Sequence, residues 1–355
     1  MSGRVILYGA TGYTGQAIAK HLAGEMDVVL AGRNADRLAK IAEPLGLPWR
    51  SFELSNEAAV HTALADGAVL LNAAGPYADT AGPLALGCIR TGTHYLDVGG
   101  EWPVFAQLME LDEQARKAGV LLLPGMGLTI AASDCLLARA VEHWPDTVKL
   151  CLGISRAHSV SRGSAASAAR LFDKQSVIRR GGKLTGVPLG SLTRAFDFGD
   201  GLRETLALSW ADVVTGEFTT GVGDIEVYSE VPWWQRAGYR ASGLYASLTG
   251  AGVWRSAGGM IARAWPSEPG ADVRGGQNYV MVVEALDRWR RPRLLKLQTH
   301  DGYGTTVLVA AEGLRRIIRG SEESGFQTPA RLFGSGFVEE AGAGIFEAKA
   351  GASAA

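Results

Sequence analysis

The apolar run Val5-Ile6-Leu7-Tyr8 leads straight into glycines at positions 9, 12 and 15, and residues 16–22 then read as a helix. That order can hold a dinucleotide pyrophosphate. Gly9 permits a tight turn, Gly12 lets the backbone approach the phosphates, and Gly15 lets the helix pack close to the strand. Ala10, Thr11, Tyr13 and Thr14 fill out the loop, and the N–H groups and dipole of a helix start favour the anion. The spacing is G-x-x-G-x-x-G, a partial match to the commoner G-x-G-x-x-G. A second apolar run, Val28-Val29-Leu30-Ala31, ends at Gly32-Arg33-Asn34. An acidic residue there would read the ribose of an unphosphorylated cofactor, whereas the Arg33 cation suits a 2′-phosphate, with Asn34 and Arg37 beside it. The predicted cofactor is NADP(H).

Three further strand ends contribute chemistry. Asn72-Ala73-Ala74-Gly75-Pro76-Tyr77 offers small residues for close approach of a cofactor, with Tyr77 able to reach the cleft. Asp97-Val98-Gly99-Gly100-Glu101 brackets a glycine turn with two carboxylates, which also suit turn hydrogen bonds. Gly125-Met126-Gly127 suits the approach of a flat ring. Tyr77, Asp97, Glu101 and His158, in that order, are the candidate proton donors, with His300 a further histidine in the later part of the chain. The histidines have no H-x-x-x-H or H-E-x-x-H spacing, so no metal site is expected. The absence of a Tyr-x-x-x-Lys pair and of G-x-S-x-G argues against short-chain dehydrogenase and hydrolase chemistry.

The elements that must carry these residues alternate. Strands are predicted at 5–8, 28–31, 49–54, 68–72, 94–98 and 120–123, with helices at 16–22, 35–45, 56–64, 83–91, 104–118 and 133–143. Short apolar strands alternating with helices specify a doubly wound Rossmann sheet, whose ligands bind outside the strands' carboxyl ends. From residue 147 the pattern turns to period 2, with strands predicted at 148–155, 203–210, 225–231 and 279–288. The fold class is therefore α/β: a Rossmann domain over 1–146, a second α+β, mostly antiparallel domain for substrate or dimerisation over 147–300, a C-terminal segment over 301–345 led by a helix at 305–319 that returns to the first domain, and a frayed tail over 346–355.

The formal charge of −1 gives no field for a nucleic-acid partner. Cys88, Cys135 and Cys151 are odd in number, widely spaced and in apolar surroundings, which reads as buried free thiols. No run of apolar residues is long enough to span a membrane, and with the first strand opening at residue 5 a cytoplasmic location is expected. The stretch 231–265 stands apart. It carries Trp233, Trp234, Tyr239, Tyr245, Trp254 and Trp265 with Arg236, Arg240, Arg255 and Arg263 and no acidic residue. That composition fits a helical lid, a dimer surface or peripheral membrane contact. A homodimer is left open.

Several motifs in order, Gly9-Ala-Thr-Gly-Tyr-Thr-Gly15, Ala31-Gly-Arg-Asn34, Asn72-Ala-Ala-Gly-Pro-Tyr77, Gly92-Thr-His-Tyr-Leu-Asp-Val-Gly-Gly-Glu101 and Pro124-Gly-Met-Gly127, resemble the saccharopine dehydrogenase-like oxidoreductases, including the trans-acting enoyl reductase branch. Ser133-Asp134 and Thr328-Pro329-Ala330 extend the resemblance, which covers the first 135 residues well and the last 50 loosely, while 151–297 matches little. It implies an NADP-binding Rossmann domain, a second domain closing over substrate, and reduction of imines or of enoyl groups on small-molecule or acyl substrates. The chain lacks a clear arginine motif for gripping an amino-diacid, although Arg156, Arg162, Arg170, Arg179 and Arg180 are available. The predicted function is an NADPH-dependent reductase acting on C=C or C=N. The alternative is a non-catalytic NADP-binding sensor or a membrane- or lipid-associated scaffold.

Overall fold

The computed structural model describes residues 3–155, 175–232, 236, 278–320 and 323–349. In the N-terminal part the strands are β1 (Val5–Tyr8), β2 (Val28–Gly32), β3 (Trp49–Ser51), β4 (Val69–Asn72), β5 (His94–Asp97) and β6 (Leu121–Leu123). Between them run α1 (Tyr13–Leu22), α2 (Ala35–Ala42), α3 (Glu57–Leu64), α4 (Tyr77–Thr91), α5 (Trp102–Glu110) and α6 (Asp112–Lys117). Residues of β1, β2, β4 and β6 are buried along their whole length, as expected of parallel strands covered on both faces. The helix predicted over 104–118 is two helices, α5 and α6, parted at Leu111, and α4 begins six residues before its predicted start, accommodating Pro83 within it.

The remaining elements are α7 (Leu128–His143), β7 (Lys149–Ile154), β8 (Gln175–Arg180), β9 (Lys183–Pro188), β10 (Thr193–Asp197), β11 (Leu202–Ala207), α8 (Asp212–Thr220), β12 (Ile225–Glu230), β13 (Val280–Leu286), β14 (Pro292–Thr299), α9 (Gly302–Arg319), β15 (Gly325–Phe326), α10 (Pro329–Phe333), α11 (Phe337–Glu340) and β16 (Gly344–Lys349). Two sheets result. The first has the order β15-β6-β5-β4-β1-β2-β3 and is parallel throughout. Strand order reverses between β1 and its two neighbours, β2 and β4, and that reversal is where an open α/β sheet leaves its ligand crevice.

The second sheet has the order β10-β11-β12-β7-β13-β14-β16, with β8 joined to β12 and β9. Its pairings are antiparallel except β12 with β7. Cys151 pairs with Glu226 on one side and Glu284 on the other, so these side chains share one face, while Leu150, Leu152, Val227 and Val283 turn to the opposite one. The first face carries Lys149 bonded to Glu226 at 2.7 Å and Arg194 paired with Glu284.

The chain divides into two compact units, Met1–Ala131 with Tyr303–Leu332, and Ala132–Gly302 with Phe333–Ala355. The boundaries predicted at 146 and 345 therefore move. The first falls within α7, and the chain after residue 332 groups with the second unit because β16 pairs with β14 in register Leu297↔Phe346. Residues 346–349, predicted as the start of a frayed tail, are strand. Cys88, Cys135 and Cys151 are free and buried. Among the described residues no helix is long and apolar enough to cross a membrane. Most of 231–265, together with Arg156, His158, Arg162 and Arg170, lies outside the described residues.

Candidate active site

The glycine loop sits at the β1–β4 switch point, and each glycine is there for a different reason. Gly9 has φ +87°, and a Cβ on it would stand 2.7 Å from the Ala74 nitrogen and 2.8 Å from the Ala73 carbonyl carbon. The turn after β1 and the loop after β4 thus touch backbone to backbone. A Cβ on Gly15 would stand 2.3 Å from the Gly9 oxygen, so α1 packs directly onto that turn. Gly12 differs: its φ is −81°, and a Cβ would meet only the Gly9 oxygen, at 3.4 Å. Among the described residues nothing requires glycine at position 12, and the space above it is open. Gly12 is also the N-cap of α1, with no side-chain cap and no acidic residue in the first turn. An uncapped helix start beside open space fits a pyrophosphate.

The α2 start adds cations. Arg33 is exposed, carries no ion pair among the described residues, and lies near enough to Tyr8 to act on its phenol electrostatically. Asn34 accepts the Arg37 N–H at 2.9 Å, so its side chain caps α2. Arg37 is exposed in that first turn. Asp36 stands in the same turn, and the two exposed arginines add the cations that a 2′-phosphate would meet. The residues present therefore suit NADP(H).

Past the switch point, the ends of β4, β5 and β6 are joined by one buried network. Asn72, fully buried, donates to Thr80 Oγ1 at 3.0 Å and to the Tyr95 hydroxyl at 3.3 Å, and accepts the Ala74 N–H at 3.0 Å. Tyr95 in turn donates to Asp97 Oδ2 at 2.8 Å. Asp97 Oδ1 accepts from Gly99 N at 2.9 Å and Gly125 N at 3.0 Å, and Gly125 holds φ +78°. Burial pushes the Asp97 carboxyl up to about 6, against the pull of the Gly125, Gly99 and Tyr95 hydrogen bonds. Burial also keeps the Tyr95 phenol well above its ordinary value.

Glu101, likewise buried, accepts from Tyr77 N at 3.0 Å and Ala78 N at 3.2 Å. It closes the α4 N-terminus, where Pro76 supplies no side-chain cap. The Tyr77 ring lies over Gly99, where a Cβ would come within 2.9 Å of it. Burial raises the Tyr77 phenol well above its ordinary value, with Asp97 and Glu101 adding to the rise.

The structure brings Tyr77, Asp97 and Glu101 together, and Gly9, Asn72, Ala73, Ala74, Gly75, Pro76 and Gly125 stand on the loops this network joins. His158 lies outside the described residues. Arg179 bonds the Val213 and Gly182 carbonyls and pairs with Glu217, so its guanidinium is engaged within its own unit. His300 Nε2 is 3.0 Å from the Gly342 carbonyl.

Two participants were not singled out from the sequence, although Tyr95 lies within the Gly92–Glu101 motif. Tyr95 was legible by period alone, since it lies two residues before Asp97 on one strand face. Tyr303 was not. The return helix α9 begins three residues earlier than predicted, which sets Tyr303 edge-on to Tyr13 of the glycine loop, with ring centroids 4.7 Å apart. On the next turn Thr306 Oγ1 accepts the Leu128 N–H at 3.1 Å, so the first turn of α9 reaches both the glycine loop and the residues after β6.

A parallel sheet with a glycine loop at its switch point, cations after β2 and a buried carboxylate network after β4–β6 defines a dinucleotide-binding protein. Residues 5–123 match the saccharopine dehydrogenase NADP binding domain. A trans-acting enoyl reductase from Mycobacterium leprae is 33% identical over 139 residues, covering 37% of this chain and 33% of that protein. The enzyme of the same description from Mycobacterium tuberculosis is 31% identical over 160 residues, or 41% and 38% of the two chains. The matched stretch thus spans only about a third of the length of these curated relatives. Among solved structures, saccharopine dehydrogenase (L-Glu forming) from Saccharomyces cerevisiae aligns over 98% of this chain and 100% of that one, with TM-score 0.63 and 13% identity. Homospermidine synthase from Legionella pneumophila, solved in complex with NAD, aligns over 98% and 92%, with TM-score 0.64 and 10% identity. Both are likenesses of fold.

Proposed function

We propose that the protein is an NADPH-dependent reductase that transfers hydride to a C=C (enoyl) or C=N (imine) bond of a small-molecule or acyl substrate. The observation that carries this reading is an α1 start with no side-chain cap, open above Gly12 among the described residues, together with the exposed Arg33 cation beyond β2, which has no ion pair among those residues. The description of the curated relatives as trans-acting enoyl reductases favours the enoyl substrate over the imine.

The cofactor, when bound, supplies hydride from its nicotinamide; this chain's residues bind it, orient it and deliver a proton. Gly9, Ala10, Thr11, Gly12, Tyr13, Thr14 and Gly15 hold the pyrophosphate, and Arg33 with Arg37 the 2′-phosphate. Tyr77 is our preferred proton donor, because its ring lies over Gly99, where the loops after β4 and β5 meet. Asp97 and Glu101 act as positioning residues, since their oxygens are occupied by backbone N–H groups and the Tyr95 hydroxyl. His158 remains the alternative donor.

The test is NADPH oxidation against panels of enoyl thioesters and cyclic imines, beside dissociation constants for NADPH and NADH. Arg33→Ala is expected to weaken NADPH by about 10–100-fold, the worth of a charge-assisted hydrogen bond, and to leave NADH unchanged. Tight NADPH binding without turnover on either panel would overturn the reductase reading in favour of a non-catalytic NADP-binding protein.

A further inference from the structure

The turn joining β13 to β14 reads Asp287-Arg288-Trp289-Arg290-Arg291 before Pro292. It closes with Arg290 N bonded to the Asp287 carbonyl at 2.9 Å, and Asp287 itself is 2% exposed. Its carboxylate accepts from Trp289 N at 2.9 Å and Arg291 N at 3.0 Å through Oδ1, and from Arg291 Nε at 2.7 Å through Oδ2. The buried aspartate therefore sets the path of the whole tip.

Above it, Trp289 is 58% exposed and carries two guanidinium groups on its ring, Arg288 at 3.9 Å and Arg291 at 4.7 Å from the centroid. Such stacking holds both cations in place at the surface. Arg290 has φ +62°, and no other non-glycine residue has positive φ among the described residues. Glycine or asparagine occupies that turn position at little cost, whereas arginine does so under strain. A strained residue at an exposed tip indicates that its side chain is needed there. Val148, 50% exposed, is bonded to Leu286 at the base of the turn, and Pro292 is exposed beside it.

We propose that this arginine–tryptophan tip docks the protein on an anionic phospholipid surface. Three arginines against one aspartate give the tip a net positive charge, although the whole chain is at −1. An exposed indole among guanidiniums, flanked by valine and proline, has the chemistry of a membrane interface, where aromatic rings sit at headgroup level and cations meet anionic lipid. A folded protein partner is the poorer fit, because a stable interface needs roughly 800 Å² from each side and a five-residue tip offers a small, protruding contact. Arg293 takes no part: it pairs with Asp146 at 2.7 Å and lies over the Trp144 ring.

The test is co-sedimentation of the full chain with vesicles of phosphatidylcholine alone and with added phosphatidylglycerol, at low and high salt. Binding is expected only to the anionic vesicles and is lost at high salt. Arg290→Gly should lower the partition about fivefold, the worth of one cation near an anionic surface, yet unfold no more easily than wild type, since glycine accepts positive φ. Arg288→Ser with Trp289→Ser should abolish binding. No binding to anionic vesicles, equal binding to neutral ones, or variants that bind like wild type would each overturn the proposal; the last outcome would assign binding to another part of the chain, such as 231–265. NADPH turnover on soluble substrate does not depend on the tip, so its loss in these variants would point to misfolding and not to docking.

Discussion

At the scale of single residues, the three loop glycines separate what the fold needs from what a ligand needs. Gly15→Ala forces a methyl against the Gly9 oxygen and the Ala10 Cα, which is backbone that cannot turn aside. We expect a loss of about 1–3 kcal/mol in stability, as for an overpacked core, together with loss of NADPH binding. Gly12→Ala meets nothing but the Gly9 oxygen at contact distance. It should unfold within about 0.5 kcal/mol of wild type while weakening NADPH at least tenfold, because its methyl enters the space above α1. Denaturant unfolding beside a cofactor titration separates the two variants; equal cofactor affinity for Gly12→Ala and wild type would remove the pyrophosphate from this loop. Spacing alone identified all three positions and gave Gly12 the approach to the phosphates, and the contacts show that of the three only Gly12 has open space beside it among the described residues. In the same way Asn34 and Asn72 were read as cofactor residues from position, whereas their side chains cap α2 and tie Thr80 to Tyr95.

At the scale of elements, the network after β4, β5 and β6 makes three separate loops act as one. Glu101 is its most testable member. It bonds the first two N–H groups of α4, a helix start that also favours negative charge. Glu101→Ala should cost about 1–3 kcal/mol, since buried donors lose their acceptor, and Glu101→Gln should recover part of that loss because one oxygen still accepts. Thermal unfolding of the two variants measures this; if both behave like wild type, Glu101 is not holding α4. Most strands up to β6 were legible because they are short apolar runs, and the helices between them because their apolar residues recur at helical spacing. The helix ends were less so. α4 starts at Tyr77 only because Glu101, 24 residues away, stands in for a missing N-cap, and α9 starts at Gly302 where its tertiary neighbours hold its first turn.

At the scale of the whole molecule, the second unit holds a buried titratable group outside the cofactor site. Asp212, at the first position of α8, is fully buried with neither carboxyl oxygen hydrogen-bonded among the described residues, and burial, with the Asp134 charge adding to it, pushes its carboxyl up to about 7. A carboxyl raised above its ordinary 3.8 keeps a proton in the fold that the unfolded chain has released. Its contribution is therefore complete below pH 4 and is lost as pH rises through 7. Asp212→Asn has no proton to lose. It should match wild type near pH 4 and exceed it at pH 8 by up to about 4 kcal/mol, measured by denaturant unfolding across pH; a gap independent of pH would contradict the assignment. Asp97, raised to about 6, adds a fall of the same sign at lower pH. By itself the sequence determined the Rossmann unit, its glycine loop and the position of Arg33 just after β2, because parallel strands, glycine turns and helix starts are built from neighbours in the chain. Only the tertiary structure decided that β16 belongs to the second sheet, that Tyr303 meets Tyr13, that Asp97 accepts from Gly125 and that Glu101 accepts from Tyr77 and Ala78. Each of these joins residues far apart along the chain, and their pairing depends on packing, which no local pattern of residues records.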